Sequence, residues 1–269
     1  MMITSLANEK VKYVRSLKRR RVRYREKRFS VEGLRLVRDA WEAGIIPAFV
    51  FYEPKWRERP EAEALLSAME AAGVPCFAAS EQVLKAMSDT VTPQGIVAVL
   101  PFPDTEVPAR SDLLLVLDGV RDPGNLGAIL RVAAGAGVGR VWLAPGTVDL
   151  FNPKAVRAAM GAHFRVPLAW GAWDRIREAV RGHQLWLADV SGERLYDEVD
   201  WCQPSVLILG GEASGASRRA TGLAMGTVRI PLAGGVESLN AAVAAGVILF
   251  EAVRQRRRAG VNGLTAPGP

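Results

Sequence analysis

Apolar runs and amphipathic stretches alternate along the chain. In the first hundred residues, the patterning predicts short strands at 29–32, 48–52, 75–78 and 96–100, with helices over 34–43, 61–72 and 81–87 between them. Leu34, Val37 and Trp41 share one face of the first helix, Gly44 and Gly73 stop the first two, and Ser80 is placed to cap the third. From residue 113 the run Leu-Leu-Leu-Val-Leu reads as a parallel strand buried on both faces. A helix over 126–136 and a strand over 140–144 complete a βαβ unit. Further strands are predicted at 164–168, 185–188, 206–209 and 228–230, and further helices at 153–160, 173–181 and 218–225. A long final helix, with Ser238 at its N-cap and Asn240 just inside, runs to Arg258. Strand–helix alternation of this kind is α/β, with a parallel sheet in the second half.

Residues 101–108 hold three prolines in eight positions and no periodicity, so 101–110 read as a linker. The expected organisation is a smaller N-terminal α/β domain over 1–100, a second domain over 111–259, and a disordered tail over 260–269. At 269 residues, both units are large enough to bury a core. Hydrophobic residues at 49% and charged residues at 23% are those of a globular chain. No apolar run has membrane-spanning length and the start lacks a signal core, so the expectation is a cytoplasmic protein without a membrane partner. The two cysteines, Cys76 and Cys202, are far apart and lack CxxC or histidine partners, which suggests buried free thiols and no metal site.

Net charge changes the picture. The chain carries +7, and Lys10, Lys12, Arg15, Lys18, Arg19, Arg20, Arg21, Arg23, Arg25, Lys27 and Arg28 crowd one N-terminal stretch against only Glu9 and Glu26. That density favours a phosphate-binding arm or helix over a merely solvated face, with Arg19, Arg20, Arg21 and Arg25 as candidate nucleic-acid contacts. Arg254, Arg256, Arg257 and Arg258 form a second cluster, which the dipole of the final helix explains without a ligand.

Ligands of open parallel sheets lie beyond the carboxyl ends of the strands. Three loops there stand out: 118–131, 210–215 and 230–240. None supplies a GxGxxG dinucleotide fingerprint or a P-loop, and neither His163 nor His183 lies in one, which leaves Ser-His-Asp and Cys-His catalysis little support. The small residues Ala241, Ala242, Ala244, Ala245 and Gly246 in the first turns of the final helix leave room for close approach by backbone or ligand. The polar residues at these loops are Asn125, Arg131, Glu212, Ser238 and Asn240.

In order and spacing, Asp118-Gly-Val-Arg-Asp-Pro-Gly-Asn125-Leu-Gly-Ala-Ile-Leu-Arg131, Leu209-Gly-Gly-Glu212-Ala-Ser-Gly215 and Ile230-Pro-Leu232 through Ser238-Leu-Asn240 resemble the three motifs of the SPOUT superfamily. The branch they are similar to is the SpoU (TrmH-like) group of RNA 2′-O-ribose methyltransferases. Phe29-Ser-Val-Glu32-Gly33 and Thr92-Pro-Gln-Gly95 resemble that family's N-terminal substrate-binding domain, so the likeness covers nearly the whole chain. It implies a C-terminal parallel-sheet domain with a trefoil knot, a homodimer, and S-adenosyl-L-methionine bent against Gly210, Ile230, Leu232 and Leu239. It also implies methylation of a ribose 2′-hydroxyl in structured RNA, ribosomal RNA before transfer RNA. Arg131 would be the catalytic arginine, with Asn125, Glu212, Ser238 and Asn240 orienting it, the ribose and the methionine end of the cofactor. A guanidinium with a pKa above about 12 is a poor base. Two roles therefore stay open for Arg131, a base in an unusual pocket or a clamp on the adjacent phosphate, and the physics favours the clamp. Leu232 stands where the family often has methionine, a conservative departure. The competing readings are a non-catalytic RNA-binding module and a nucleotide-dependent oxidoreductase with a degenerate glycine loop.

Overall fold

The computed structural model describes the chain apart from residues 1, 89, 91, 104–111, 213–214 and 262–269. It divides into two compact units, Met1–Asp104 with Phe151–Arg157, and Thr105–Leu150 with Ala158–Pro269. The expected linker and tail therefore lie largely outside the described residues.

Unit 1 begins with α1 (Glu9–Ser16) and α2 (Arg20–Glu26), continues through β1 (Arg28–Glu32), α3 (Leu34–Glu42), β2 (Phe49–Tyr52), α4 (Pro60–Ala71), β3 (Cys76–Ala78) and α5 (Glu81–Met87), and closes with β4 (Ile96–Pro101). The four strands lie in the order β1-β4-β2-β3, with β4 antiparallel to both neighbours and β3 parallel to β2. Val11, Val14 and Leu17 of the first helix pack with Phe49, Phe51, Val83, Leu84, Val97 and Val99 in its core. The basic stretch is thus two short helices, not one arm. Arg23 is the reason they stay joined: it is buried, and its Nη1 donates to the carbonyls of Leu17 (2.6 Å) and Lys18 (2.8 Å), which the end of α1 leaves without helical partners. Phe151, beyond the end of the N-terminal region in sequence, groups with unit 1 because its ring stacks on Phe102 at 3.7 Å and tilts against Phe29 at 4.8 Å.

Unit 2 is built from β5 (Leu113–Asp118), α6 (Pro123–Gly135), β6 (Arg140–Leu143), α7 (Pro153–Ala159, shared with unit 1), β7 (Leu168–Trp170), α8 (Trp173–Ala179), β8 (Gln184–Ala188), β9 (Arg194–Leu195), β10 (Ser205–Gly210), α9 (Arg218–Leu223), β11 (Gly226–Arg229) and α10 (Ala241–Arg258). Its seven strands are all parallel, in the order β7-β6-β5-β10-β8-β11-β9. Every residue of β5 is buried, as its unbroken apolar run requires of a central parallel strand. The chain leaves β5 toward β6 and β7 on one side, while β10 lies on the other, so the order reverses between β5 and β10. Crevices open at such switch points.

Several expectations need correction. Helix α6 starts three residues early because Asp122 caps it, its Oδ1 accepting the Asn125 N–H at 2.8 Å, and Pro123 takes the first helical position. The strand expected at 164–168 is instead a 3₁₀ turn, Ala162–Phe164, followed by β7 at Leu168–Trp170, because pairing with β6 sets in only at Leu168. Ser238 does not cap the last helix. Asn240 does, its Oδ1 accepting from Ala242 N (2.9 Å) and Val243 N (3.4 Å). Cys76 and Cys202 are free but only half-buried. No helix among the described residues is long and apolar enough to cross a membrane.

At the far end of α10, Arg256 donates to the carbonyls of Trp201 (2.8 Å), Asp112 (2.8 Å) and Gln203 (3.0 Å), and Gln255 binds both the Trp201 N–H and the Val199 carbonyl. Of the arginine cluster predicted to serve the helix dipole, one member therefore ties the helix to the chain segments that enter β5 and β10.

Candidate active site

Strand register brings the three loops together. Gly210 lies opposite Asp118, Leu209 opposite Ala188, and Ala188 opposite Val228, so the carboxyl ends of β5, β10, β8 and β11 stand level. Close approach at these ends excludes side chains. A Cβ on Gly210 would stand 2.5 Å from the amide nitrogen of Ala216, and one on Gly211 would run into the carbonyl oxygen of Gly119. The loop that follows folds back on itself, with Gly211 and Gly215 exchanging backbone hydrogen bonds of 3.1 and 3.0 Å. Beneath it the buried carboxylate of Asp118 accepts the Ser217 N–H at 2.6 Å, and Thr147 Oγ1 joins the Leu117 carbonyl to the Gly119 N–H. These bonds hold the first loop against the second without any ligand.

Above the strand ends opens a cavity of about 560 Å³, within the range of about 300–1,000 Å³ usual for small-molecule sites. It is lined by eight of the nine residues singled out for catalysis or cofactor binding: Asn125, Gly210, Glu212, Ile230, Leu232, Ser238, Leu239 and Asn240. Three of them form a relay. The Asn240 amide donates to Asn125 Oδ1 at 2.8 Å, and the Asn125 amide donates to Glu212 Oε1 at 2.8 Å. The second Glu212 oxygen accepts the Arg121 N–H at 3.2 Å. One carboxylate thereby orients both asparagines, and the same Asn240 that caps α10 ties that helix start to the first turn of α6. Ser238 is exposed at the cavity and has no hydrogen-bond partner among the described residues.

Burial acts to raise the Glu212 carboxyl, but the donors from Asn125 and from the backbone of Glu212, Arg121 and Asp122 outweigh it, leaving the pKa below the ordinary carboxylate value.

Arg131 is the exception. It is exposed on α6, does not line the cavity, and has neither hydrogen bond nor ion pair among the described residues. Its stripe on α6 is Ala128, Arg131, Val132 and Gly135, at helical spacing. The outward stripe of α10 is Val243, Gly246, Val247 and Phe250, with Val243 52% and Phe250 49% exposed. The two stripes adjoin: a Cβ on Gly246 would lie 3.9 Å from Val132, and one on Gly135 3.7 Å from Phe250. Arg131 thus sits in an exposed, largely apolar two-helix face.

Sequence reasoning missed the side of the cavity formed by Ala188, Asp189, Val190 and Val228. No motif marks them; their place follows from β8 lying beside β10, a pairing of strands the chain order does not announce. Neither histidine lines the cavity, and His163 is buried with Nε2 2.7 Å from the Leu150 carbonyl. The four arginines proposed for RNA lie on α2 and its entry and are exposed: Arg19 precedes the helix, Arg20 lies over the Tyr24 ring at 5.3 Å, and Arg25 pairs with Glu26 at 2.8 Å.

Sequence and fold are shared with known proteins. The SpoU rRNA Methylase family model matches residues 112–250, and the MRM3-like substrate binding domain matches residues 8–98. The mitochondrial rRNA methyltransferase 3 of Homo sapiens is 33% identical, covering 90% of this chain and 71% of that protein. The 23S rRNA (guanosine(2553)-2′-O)-methyltransferase RlmP of Bacillus subtilis is 31% identical, covering 92% and 97%. Among solved structures, the AdoMet-bound rRNA methyltransferase from Sinorhizobium meliloti superposes with a TM-score of 0.83 at 33% identity, covering 96% of this chain and 98% of that one.

The relay makes a pH prediction. With its pKa depressed, Glu212 contributes stability at pH above the ordinary carboxylate value, and that contribution fades as pH falls through the lowered one. Replacing Asn125 with Ala removes the largest stabilising donor, so the Glu212 carboxyl should titrate at higher pH in an NMR carboxylate titration. An unchanged titration would mean that Asn125 does not hold it.

Proposed function

The chain belongs to the SpoU rRNA Methylase family, and from that premise we propose that it transfers a methyl group from S-adenosyl-L-methionine to a ribose 2′-hydroxyl of ribosomal RNA. The observation that carries this reading is the Asn240–Asn125–Glu212 relay at the mouth of a cavity whose floor, Gly210 and Gly211, leaves no space for a side chain. Ile230, Leu232 and Leu239 supply apolar wall for an adenine, and the bare backbone at Gly210 and Gly211 suits the close approach of a folded cofactor. The bound cofactor supplies an electrophilic methyl on a sulfonium. Transfer to the ribose 2′-oxygen would leave S-adenosylhomocysteine, and the hydroxyl proton would pass to solvent at the open side of the cavity, where Ser238 and Asn240 are exposed. What the protein adds is alignment of the two reacting groups. Asn125, Asn240 and Ser238 orient the methionine end and the ribose. Arg131 clamps the neighbouring phosphate, the role its permanent charge and forked donors fit best.

A homodimer forms part of the same proposal. An exposed apolar face made of two helix stripes is an association surface, and Arg131 lies within it, outside its own chain's cavity. Pairing through this face would set Arg131 at the boundary between two copies, where a polyanion could reach it together with a cavity. The RNA is gripped also by unit 1 through Arg19, Arg20, Arg21 and Arg25, and the enzyme works in the cytoplasm with its substrate.

Three outcomes are expected. Arg131→Ala should abolish transfer of tritiated methyl to RNA while S-adenosylhomocysteine binding, measured by calorimetry, stays near wild type; wild-type turnover would sink the assignment. Neutralising Arg19, Arg20 and Arg21 together should weaken RNA binding and flatten the log–log salt slope by up to about 2, at about 0.7 per phosphate contact. An unchanged slope would remove α2 from the RNA surface. Phe250→Glu should turn the dimer into a monomer in analytical ultracentrifugation, and an unaltered sedimentation coefficient would place any interface elsewhere.

A further inference from the structure

The cavity lining mixes polar groups from α6, the loop after β10 and the start of α10, namely Asn125, Glu212, Ser238 and Asn240, with apolar residues of α10 and the preceding loop; on the side of β8 and β11 it is apolar, with Ala188, Val190, Val228 and Ile230. One charged residue stands on that side. Asp189 directly follows β8, lines the cavity, and donates its backbone N–H to the Val228 carbonyl at 2.9 Å. Its Oδ1 accepts two hydrogen bonds, from the Ser191 N–H at 2.8 Å and the Ser191 hydroxyl at 2.6 Å, whereas its Oδ2 accepts none among the described residues.

The turn that carries Asp189 is rigidly seated. A Cβ on Gly192 would stand 2.5 Å from the carbonyl carbon of Val228, so only glycine fits against β11 there. Arg229 reaches back from β11 to the carbonyls of Gly192 (2.5 Å) and Glu193 (3.1 Å). The carboxylate is thus held through one oxygen and by a locked turn, with the other oxygen left for a ligand. When a ligand displaces water from an apolar side, an uncommitted carboxylate oxygen is costly unless the ligand brings hydrogen-bond donors.

We infer that Asp189 binds the cofactor, accepting hydrogen bonds from the 2′- and 3′-hydroxyls of its adenosine ribose. This rests on the S-adenosyl-L-methionine reading above. With the adenine against Ile230, Leu232 and Leu239 and the charged methionine end beside the Asn125 amide and the Glu212 carboxylate, the side of the cavity at β8 and β11 is left for the ribose. The ribose then passes the end of β8. A carboxylate at a strand's carboxyl end, beside a strand that carries the glycine turn, reads ribose hydroxyls in dinucleotide-binding sheets for the same physical reason, since it presents acceptors to a vicinal diol.

The test is calorimetric titration of three ligands: S-adenosylhomocysteine, 5′-deoxy-5′-methylthioadenosine, which lacks the amino-acid end, and the 2′,3′-dideoxy form of the latter. Asp189→Ala should weaken the first two by a similar factor, about tenfold or more for hydrogen bonds to a charged group, and leave the dideoxy ligand at its wild-type affinity. Asp189→Asn, which keeps an oxygen for Ser191, should give the same pattern and serves if the alanine variant does not fold. Loss confined to S-adenosylhomocysteine would assign Asp189 to the ammonium group and overturn the inference. Equal loss for all three ligands, which a collapsed turn would cause, or no loss at all, would also overturn it. Failure of the wild-type protein to bind S-adenosylhomocysteine would overturn the cofactor reading itself, and this role with it.

Discussion

The position of β10 between β5 and β8 is the constraint on which the site depends. Parallel register sets Gly210 beside Asp118 and Leu209 beside Ala188, so that three chain segments far apart in sequence end at one level. A shift of register by one residue would take Gly210 from beside Asp118 and set a side chain against the backbone that Gly210 and Gly211 now meet. The apolar side chains of β5 and β10, buried almost throughout, hold that register through the hydrophobic effect. Above them, contact between Gly211 and the Gly119 carbonyl, and the bond from Ser217 to the buried Asp118 carboxylate, fix the loops to each other. The floor of the cavity is therefore backbone, and its shape is set by packing and hydrogen bonds that involve no ligand.

On this floor the functional groups are organised by a single carboxylate. Glu212 has one oxygen on Asn125 and the other on the Arg121 N–H, and Asn125 passes the orientation on to Asn240. Asn240 also caps α10. Helix capping and site geometry are thus one structural fact: the residue that starts the last helix is the residue that fixes the first loop. An amide can do both because it offers an acceptor to the helix N–H groups and a donor to its neighbour at the same time. A serine hydroxyl two positions earlier does neither here, which leaves Ser238 available at the cavity.

Arg131 and Asp189 show two ways in which a residue's function depends on its surroundings. Arg131 stands clear of its own cavity, on a face whose apolar content suits a second protein surface. Asp189 stands within the cavity, pinned through one oxygen. Neither arrangement is a property of the residue type, and in each the neighbouring helix or strand decides what the side chain is able to reach.

Much of this was legible in the sequence. The continuous apolar run of β5, the glycine pair after β10 and the crowding of small residues in α10 declare a buried parallel sheet and close approach, because those features follow from local volume and backbone freedom. The three loops could be recognised from residue order, and the resemblance they carry named eight of the residues that line the cavity. The rest required the tertiary structure. That Asn240 rather than Ser238 caps α10 depends on where Asn125 lies; that Arg23 is a structural tie rather than a phosphate contact depends on the turn between α1 and α2; that Asp189 faces a cofactor cavity depends on β8 pairing with β10. Local sequence determines what each segment prefers to be, whereas strand order and helix contacts are settled by non-local packing, and those contacts decide which side chains meet.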